Sequence, residues 1–259
     1  TRDEIVLPEI VKALNLVNSG NIQDGYNLFL KLANKNDAEA QYFLGQLNGQ
    51  EQFNINNQQE SFYWTKLSAD QNFPDAVYHL ATLYLNGIGT PQNPNKAHET
   101  FLNAAKLKMP DAYYNLSYNY LFGDGVKKDV SESIKWSNEL INYTHVIQEI
   151  DNYYDLEGYQ KLYFIYMWED GYENYEKAFE YAKILVNRRG TGTDYDRLAY
   201  FYQAGIATEI DYNKSFELYS IADQKGELNS KEPLGNLYYD GNGTEQNYQK
   251  AFEIYKYLD

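Results

Sequence analysis

The residue types that usually bind metals or act as acids and bases are scarce or unpatterned in this 259-residue chain. It contains three histidines, His79, His98 and His145, and no cysteine. His79 and His98 fall within one repeat unit, but no third ligand and no HExxH pattern accompanies them. Acidic residues are abundant, yet nothing singles out a carboxylate pair suited to general acid–base catalysis. We therefore predict no catalytic residue, no metal site and no cofactor.

Two glycine-rich patterns could indicate ligand-binding loops, but helix ends explain them better. Gly87-Ile-Gly89 and Gly123-Asp-Gly125 follow no strand pattern and lack the third glycine of a dinucleotide-binding loop. The acidic positions and the closing glutamate of a calcium-binding EF-hand are also missing. Glycine is favoured where a helix ends, because the chain there often needs a positive φ angle. Both patterns therefore predict turns between helices.

The composition excludes several other classes of protein. The 37 acidic and 22 basic side chains give a net charge of −15, which opposes binding to the phosphates of nucleic acids. No apolar run approaches the roughly 18 residues that a membrane-spanning helix needs. The lack of cysteine excludes disulfide scaffolds and thiolate chemistry. We predict no nucleic-acid partner and no membrane span. The unusual feature is tyrosine, with 28 residues.

The leucines and tyrosines follow a 36-residue period. Six leucines carry this register in two sets of three, which are Leu44, Leu80 and Leu116, then Leu162, Leu198 and Leu234. A step of 46 residues separates the two sets, which predicts one ten-residue insertion near 142–151. A fixed period of this length is typical of solenoid repeat proteins.

Each period contains a first helix, here termed helix A, that surrounds the leucine. A small residue lies four positions before the leucine in most repeats, and a tyrosine lies four positions after it in five of the six. The column before the leucine is Ala40, Ala76, Ala112, Gly158, Asp194 and Ser230, with Asp194 as the exception. Offsets of four place these side chains on one helix face, and the small ones let a neighbouring helix approach closely.

A second helix, termed helix B, follows each helix A. Asparagine or aspartate precedes it in every repeat, at Asn21, Asn57, Asn93, Asp129, Asn174, Asp211 and Asn247. These residues predict N-caps, because the side-chain oxygen accepts a hydrogen bond from an unpaired amide of the first turn. Asn21 extends the register to a degenerate first repeat at 4–36, which gives about seven helix pairs. The last pair stops at Asp259 inside helix B, so we expect the array to be truncated at its C-terminus.

These columns resemble the Sel-one-like repeat (SLR) family, which is related to the tetratricopeptide repeats. The matching residues of one repeat are Ala76, Leu80, Ala81, Tyr84, Gly87, Gly89, Asn93, Lys96, Ala97, Ala104 and Ala105. The resemblance covers nearly the whole chain. It implies an all-α fold, a right-handed superhelical solenoid of antiparallel helix pairs in a single domain over 1–259. The cysteine pair that clamps the helices in some bacterial members is absent, so packing and caps must suffice.

The resemblance also implies which helix A positions face a partner. In tetratricopeptide geometry the concave groove is lined by positions two before, two after and five before the leucine. The resulting candidates for partner binding are the aromatic residues Tyr42, Tyr78, Tyr114, Tyr118, Phe164 and Tyr200 and the acidic residues Asp75, Asp111 and Asp196. Exposed tyrosines supply contact area at low entropic cost. The alternative is that the tyrosines two positions before the leucine are partly buried between repeats.

We therefore expect a non-catalytic scaffold or adaptor that binds a protein or peptide partner in an aromatic, acidic groove. The acidic edge favours a basic or extended segment. An alternative is a bacterial envelope protein that recognises peptidoglycan or another glycan, because tyrosine faces stack on sugars. The resemblance also includes virulence-associated exported bacterial proteins, so an exported, periplasmic or membrane-tethered location is favoured over a cytoplasmic one.

Overall fold

The computed structural model describes residues 2–50, 57–146 and 153–257, and the side chains within 7–50, 57–143 and 154–257. Every regular element in these ranges is an α-helix. The helices are α1 (Arg2–Asn18), α2 (Ile22–Ala33), α3 (Ala38–Gly49), α4 (Gln58–Asp70), α5 (Pro74–Asn86), α6 (Pro94–Lys106), α7 (Pro110–Phe122), α8 (Val130–Val146), α9 (Tyr153–Trp168), α10 (Tyr175–Arg188), α11 (Gly192–Ala204), α12 (Tyr212–Gln224), α13 (Lys231–Asp240) and α14 (Tyr248–Tyr255).

These helices form seven consecutive pairs. The predicted A helices are the odd-numbered helices from α3 onward, and the B helices are the even-numbered ones. From α1 to α7, and again from α9 to α14, each helix packs against the next along the chain, as α3 does with α4, α4 with α5 and α5 with α6. The all-α fold of paired repeat helices is therefore confirmed. None of the helices described is both long and apolar enough to cross a bilayer.

The chain divides into two compact units, Thr1–Trp136 and Ser137–Asp259, which are described separately. We call them unit 1 and unit 2. The single-domain organisation remains a prediction. The predicted insertion near 142–151 begins within α8, and its remainder lies outside the described residues, as does the side chain of His145.

Side-chain caps begin most of the B helices, as the sequence predicts. At α4, α6, α10, α12 and α14 the preceding asparagine or aspartate accepts a hydrogen bond of 2.9–3.2 Å from an amide of the first turn. Asp129 caps α8 in the same way, 3.1 Å from the amide of Glu132. Asn21 precedes α2, but its side chain makes no cap hydrogen bond. The Asn21 amide instead lies 3.4 Å from the Ser19 hydroxyl, so the side-chain cap predicted there was wrong.

The predicted turn glycines join helix A to helix B. The glycines that end the A helices, at φ angles of 67–78°, are Gly87, Gly123, Gly205 and Gly241. A second glycine presses against the preceding pair. A methyl group at Gly89 would collide with the carbonyl oxygen of Gln58, and one at Gly243 with that of Tyr212. The loops that join α5 to α6 and α13 to α14 therefore pack against the first helical turn of the preceding helix B.

The leucine register forms the core of each unit. All six leucines are at most 7% exposed, and the alanines four positions before them in α3, α5 and α7 are fully buried. Small residues also let the two helices of a pair come together. The Ser61 hydroxyl donates to the carbonyl oxygen of Gly45 at 2.7 Å, and that of Ser133 to Ser117 at 2.8 Å.

The tyrosines four positions after the leucine connect neighbouring pairs. Tyr84, Tyr202 and Tyr238 each meet a phenylalanine of the preceding helix B nearly edge-on, with ring centroids 5.1–5.5 Å apart. A lysine of the tyrosine's own helix B lies 5.0–5.5 Å from the centroid of the same ring. Aromatic packing and cation–π attraction therefore reinforce the stack at the same position of several repeats.

Candidate interaction faces

The candidate partner-binding residues of unit 1 lie on three A helices, α3, α5 and α7. They are Tyr42, Asp75, Tyr78, Asp111, Tyr114 and Tyr118, and we name this surface the helix-A face of unit 1. Side chains of successive A helices meet on it. The Gln46 amide lies 3.1 Å from Nδ1 of His79, and the Asn115 amide donates to the Tyr78 hydroxyl at 3.3 Å. The structure therefore brings side chains of neighbouring A helices into contact on this face.

The tyrosines two positions before the leucine are half-buried. The ring of Tyr42 packs against Phe73, with centroids 5.4 Å apart, and Tyr78 packs against Phe101 at 5.7 Å. Tyr114 is half-buried as well. Burial raises the pKa of Tyr42, and the carboxylate of Asp75 raises it further. This column therefore adopts the partial burial that the sequence left open.

The aromatic residues two positions after the leucine are more accessible. Tyr118 is 43% exposed, Phe164 is 40% exposed and Tyr200 is 39% exposed. The ring of Tyr118 lies 4.6 Å from that of Phe122, centroid to centroid. The accessible rings among the candidates thus share one position of the repeat. Among the acidic candidates of unit 1, Asp75 is exposed and Asp111 is half-buried.

Both histidines with described side chains make packing contacts. His79 lies against the Tyr42 ring at 6.4 Å between centroids. His98 meets Tyr120 edge-on at 4.9 Å, in the register where other repeats place phenylalanine. Burial lowers the pKa of both histidines, so they stay neutral near pH 7. Within the described part of the chain, no three His, Asp or Glu side chains gather closely enough to hold a metal ion.

In unit 2 the candidates lie on α9 and α11. They are Phe164, Asp196 and Tyr200, and we name this surface the helix-A face of unit 2. Asp196 is half-buried. Burial raises the pKa of Asp196 to about 6, the carboxylate of Glu227 adds to the rise, and the guanidinium of Arg197 opposes it. Asp196 is therefore an acid whose charge is gained near pH 6.

Sequence reasoning missed the polar groups around Asp196. The Arg197 guanidinium lies over the Tyr163 ring, 4.9 Å from its centroid. Burial raises the pKa of Tyr163 to about 12. Tyr219 is also buried and donates a hydrogen bond to Oε1 of Gln203 at 3.0 Å. One signal was present in the sequence: Tyr163 is the large residue directly after a register leucine, where the other repeats have glycine, alanine or serine.

Asp194, the exception in the small-residue column, anchors the loop between α10 and α11. Its carboxylate is fully buried. It accepts two hydrogen bonds from the Arg189 guanidinium, at 2.7 and 2.9 Å. It also accepts from the amide and the hydroxyl of Thr191, at 2.9 and 2.7 Å, and so closes a capping box. Asp194 therefore fixes the start of the helix that carries Asp196 and Tyr200.

The paired helices and their register define a class of protein, a solenoid built from helical hairpins. Comparison with known families identifies the member of this class. A model of the Sel1 repeat matches residues 38–73, 74–108, 110–139, 166–185, 195–226 and 234–257. These segments make up most of the chain, which therefore belongs to the Sel1 repeat family. Proteins with these repeats are generally non-catalytic scaffolds for protein–protein interaction.

Solved structures share this fold. One is the crystal structure of c5321, a protective antigen present in uropathogenic Escherichia coli strains and displaying an SLR fold. It is 26% identical to this chain, with a TM-score of 0.73 over 89% of this chain and 47% of the other. This chain thus spans about half the length of that protein. A Sel1 repeat protein from Oxalobacter formigenes is 24% identical, with a TM-score of 0.69 over 96% of this chain and 98% of the other. Among curated proteins, no sequence matches significantly.

Proposed function

We propose that this chain is a non-catalytic scaffold that binds a basic, extended segment of a partner protein through its helix-A faces. One observation carries the proposal: Tyr118, Phe164 and Tyr200 are all exposed at the same position of the repeat. A partner that runs along the stacked helices of one unit meets equivalent positions in turn, as Phe164 and Tyr200 provide in unit 2, and accessible rings at such positions suit that mode of binding.

The residues beside these rings favour a partner of positive charge. Asp75 and Asp111 accompany the tyrosines of unit 1, and Asp196 lies one helical turn from Tyr200 on α11. The net charge of −15 attracts basic segments over a longer range and speeds their association. This attraction weakens at high ionic strength, because salt screens exposed charges.

Two of the tyrosine side chains on the helix-A face of unit 1 are preorganised for binding. Tyrosine supplies a large contact area with few rotatable bonds, and its hydroxyl can form hydrogen bonds. Tyr42 and Tyr78 are already held by Phe73 and Phe101. Little side-chain entropy is then lost when a partner covers their exposed parts.

A fluorescently labelled peptide library with varied lysine and arginine content tests the proposal. We expect affinity for the whole chain to rise with peptide charge and to fall at high salt. Replacing both Tyr118 and Tyr200 by alanine should weaken binding of the tightest peptide by about tenfold, as expected when anchor rings are lost. The control Tyr63→Ala removes an exposed tyrosine from a B helix and should leave affinity unchanged. Equal affinity of the double variant and the unmodified chain contradicts the proposal.

Recognition of a glycan is the second candidate function. The similarity to a protective antigen of uropathogenic E. coli favours a bacterial envelope or virulence-associated role, and accessible tyrosine rings can stack on sugars. Soluble muropeptides in the same assay separate the two candidates. Muropeptide binding that is insensitive to salt and lost in the Tyr118 and Tyr200 double variant supports glycan recognition. Salt-sensitive peptide binding supports the protein-binding scaffold.

A further inference from the structure

A different surface of unit 2 lies at the turns that join its A helices to its B helices. The first residue of each helix B is an exposed tyrosine, at Tyr175, Tyr212 and Tyr248. Three further side chains at the ends of A helices or in the turns are exposed, namely Trp168, Ile210 and Tyr239. We name these six residues the turn edge of unit 2.

Packing places the α13–α14 turn of this edge beside the start of α12. Gly243, between α13 and α14, lies directly against the carbonyl oxygen of Tyr212 at the start of α12. The rings of Tyr239 and Tyr248 meet with their centroids 5.1 Å apart. The exposed aromatic residues therefore follow one another from turn to turn along one side of the unit.

The exposure of this row is not caused by a missing neighbour. Helix α10 packs against α9 and α11, and α12 packs against α11 and α13, yet Tyr175 and Tyr212 remain exposed. In unit 1 the same position holds Gln58, Pro94 and Val130. The tyrosines are thus a feature of unit 2 and not a requirement of the repeat. A row of exposed aromatic residues in such a place indicates an interaction surface.

The exposed charged side chains along the turn edge are mostly carboxylates. Three lysines lie 5.0–5.2 Å from the ring centroids of A-helix tyrosines: Lys177 over Tyr166, Lys214 over Tyr202 and Lys250 over Tyr238. Exposed carboxylates accompany the row at Asp170, Glu173, Glu176, Glu209, Asp240 and Glu245. These three lysines are exposed as well, but the six carboxylates outnumber them, so the edge is complementary to a basic partner.

A hollow of about 610 Å³ opens between two neighbouring turns of this edge. Its lining residues include Glu209, Asp211, Tyr212, Lys214 and Gly243. Asp211 caps α12 and lies 3.5 Å from the ammonium of Lys214. Asp211 therefore caps α12 and pairs with Lys214, whereas the exposed Glu209 carboxylate lines the hollow together with Tyr212.

We propose that the turn edge of unit 2 binds an arginine-bearing segment of a partner protein, with one guanidinium in the hollow between Glu209 and Tyr212. A guanidinium stacks on an aromatic face and donates two parallel hydrogen bonds to a carboxylate. Tyrosines at the adjacent turns receive further arginines. Lysine fits less well, because its ammonium offers neither a stacking plane nor a bidentate fork.

A fluorescein-labelled peptide of alternating arginine and glycine tests this site by anisotropy with the whole chain. We expect saturable binding that is about tenfold weaker in the double variant Glu209→Gln, Tyr212→Ser, which removes one carboxylate and one ring. The corresponding lysine–glycine peptide should bind more weakly than the arginine peptide. The control Tyr63→Ser removes an exposed ring from α4, a B helix of unit 1 that belongs to neither surface, and should retain affinity.

A second edge variant, Tyr175→Ser with Tyr248→Ser, leaves α12 untouched and should also weaken binding. Thermal melting followed by circular dichroism verifies that each variant is folded. If the Glu209→Gln, Tyr212→Ser variant is unfolded, the Tyr175→Ser, Tyr248→Ser variant serves as the test of the proposal. Unchanged affinity in the edge variants overturns the proposal, as does a lack of saturable binding. Loss of binding in the Tyr118→Ala, Tyr200→Ala variant, with unchanged binding in both edge variants, also overturns it and supports binding at the helix-A faces instead.

Discussion

Asp194 occupies a column that other repeats fill with alanine, glycine or serine, and its surroundings explain why it is tolerated there. Burial raises the pKa of Asp194, but hydrogen bonds from Arg189 and Thr191 outweigh burial, so the pKa lies below its ordinary value. The ionised carboxylate is therefore favoured by the fold. A charge that is buried with several donors around it stabilises a loop, whereas removal of the carboxylate leaves those donors unpaired.

Replacing Asp194 by alanine should lower the free energy of unfolding by about 2–4 kcal/mol, because Arg189 and Thr191 lose their acceptor. The lowered pKa sets the pH dependence. This contribution is complete above the ordinary carboxyl pKa of about 4 and is lost as the pH falls through the lowered value. Urea unfolding at several pH values measures it. The control Asp70→Ala breaks the exposed pair with Lys66 and should cost less than about 1 kcal/mol.

Asp196 has the opposite pH dependence, because its pKa is raised to about 6. A carboxyl with a raised pKa stabilises the fold while protonated, and this contribution is lost as the pH rises through about 6. Asp196→Asn should therefore melt at a higher temperature than the unmodified chain above about pH 7, and at a similar temperature near pH 4. Glu227→Gln should reduce this difference, because Glu227 contributes to the raised pKa. A melting difference that does not change with pH contradicts the assignment.

At the scale of the helix, the ends could be predicted because each depends on a residue next to it. Asn174 before α10 and Gly205 after α11 act through their own side chain or backbone angle. The loop between α10 and α11 could not be predicted in this way. In the sequence Arg189 has no distinguishing pattern and Asp194 is only the exception in the small-residue column, and the path of the loop is what brings the two together.

The contact between a turn and the preceding hairpin offers a test at the same scale. Gly89 has a φ of +66°, and a methyl group there would meet both the Gln58 carbonyl and the Phe62 side chain. Gly89→Ala should therefore lower the free energy of unfolding by about 2–4 kcal/mol, from backbone strain and overpacking together. Gly20→Ala is the matched control, since its φ is +88° and nothing lies within 4 Å of the added methyl. It should cost only about 1–2 kcal/mol, from backbone strain alone. If urea unfolding gives the same loss of unfolding free energy for Gly89→Ala and Gly20→Ala, the turn at Gly89 does not pack against the preceding hairpin.

At the scale of the whole molecule, the 36-residue period predicted the architecture and the register. It did not fully predict which candidate rings are exposed and which are half-buried. Tyr42 and Tyr118 belong to columns that a helical wheel places near one another. The first is half-buried because Phe73, from the following pair, packs on it, and the second remains 43% exposed. Contacts between repeats decide such differences, and the periodicity of a single helix carries no information about them.

At the turns, the contact between neighbouring hairpins is made with main chain, beside the side-chain packing of the tyrosine column. Gly89 abuts the carbonyl of a glutamine and Gly243 that of a tyrosine, so dissimilar residues serve equally well. The same main-chain contact can therefore recur at further repeats of a solenoid. The exposed side chain at a position such as Tyr212 can therefore change during evolution, and with it the partner that is bound, because the contact between hairpins uses the carbonyl oxygen of that residue.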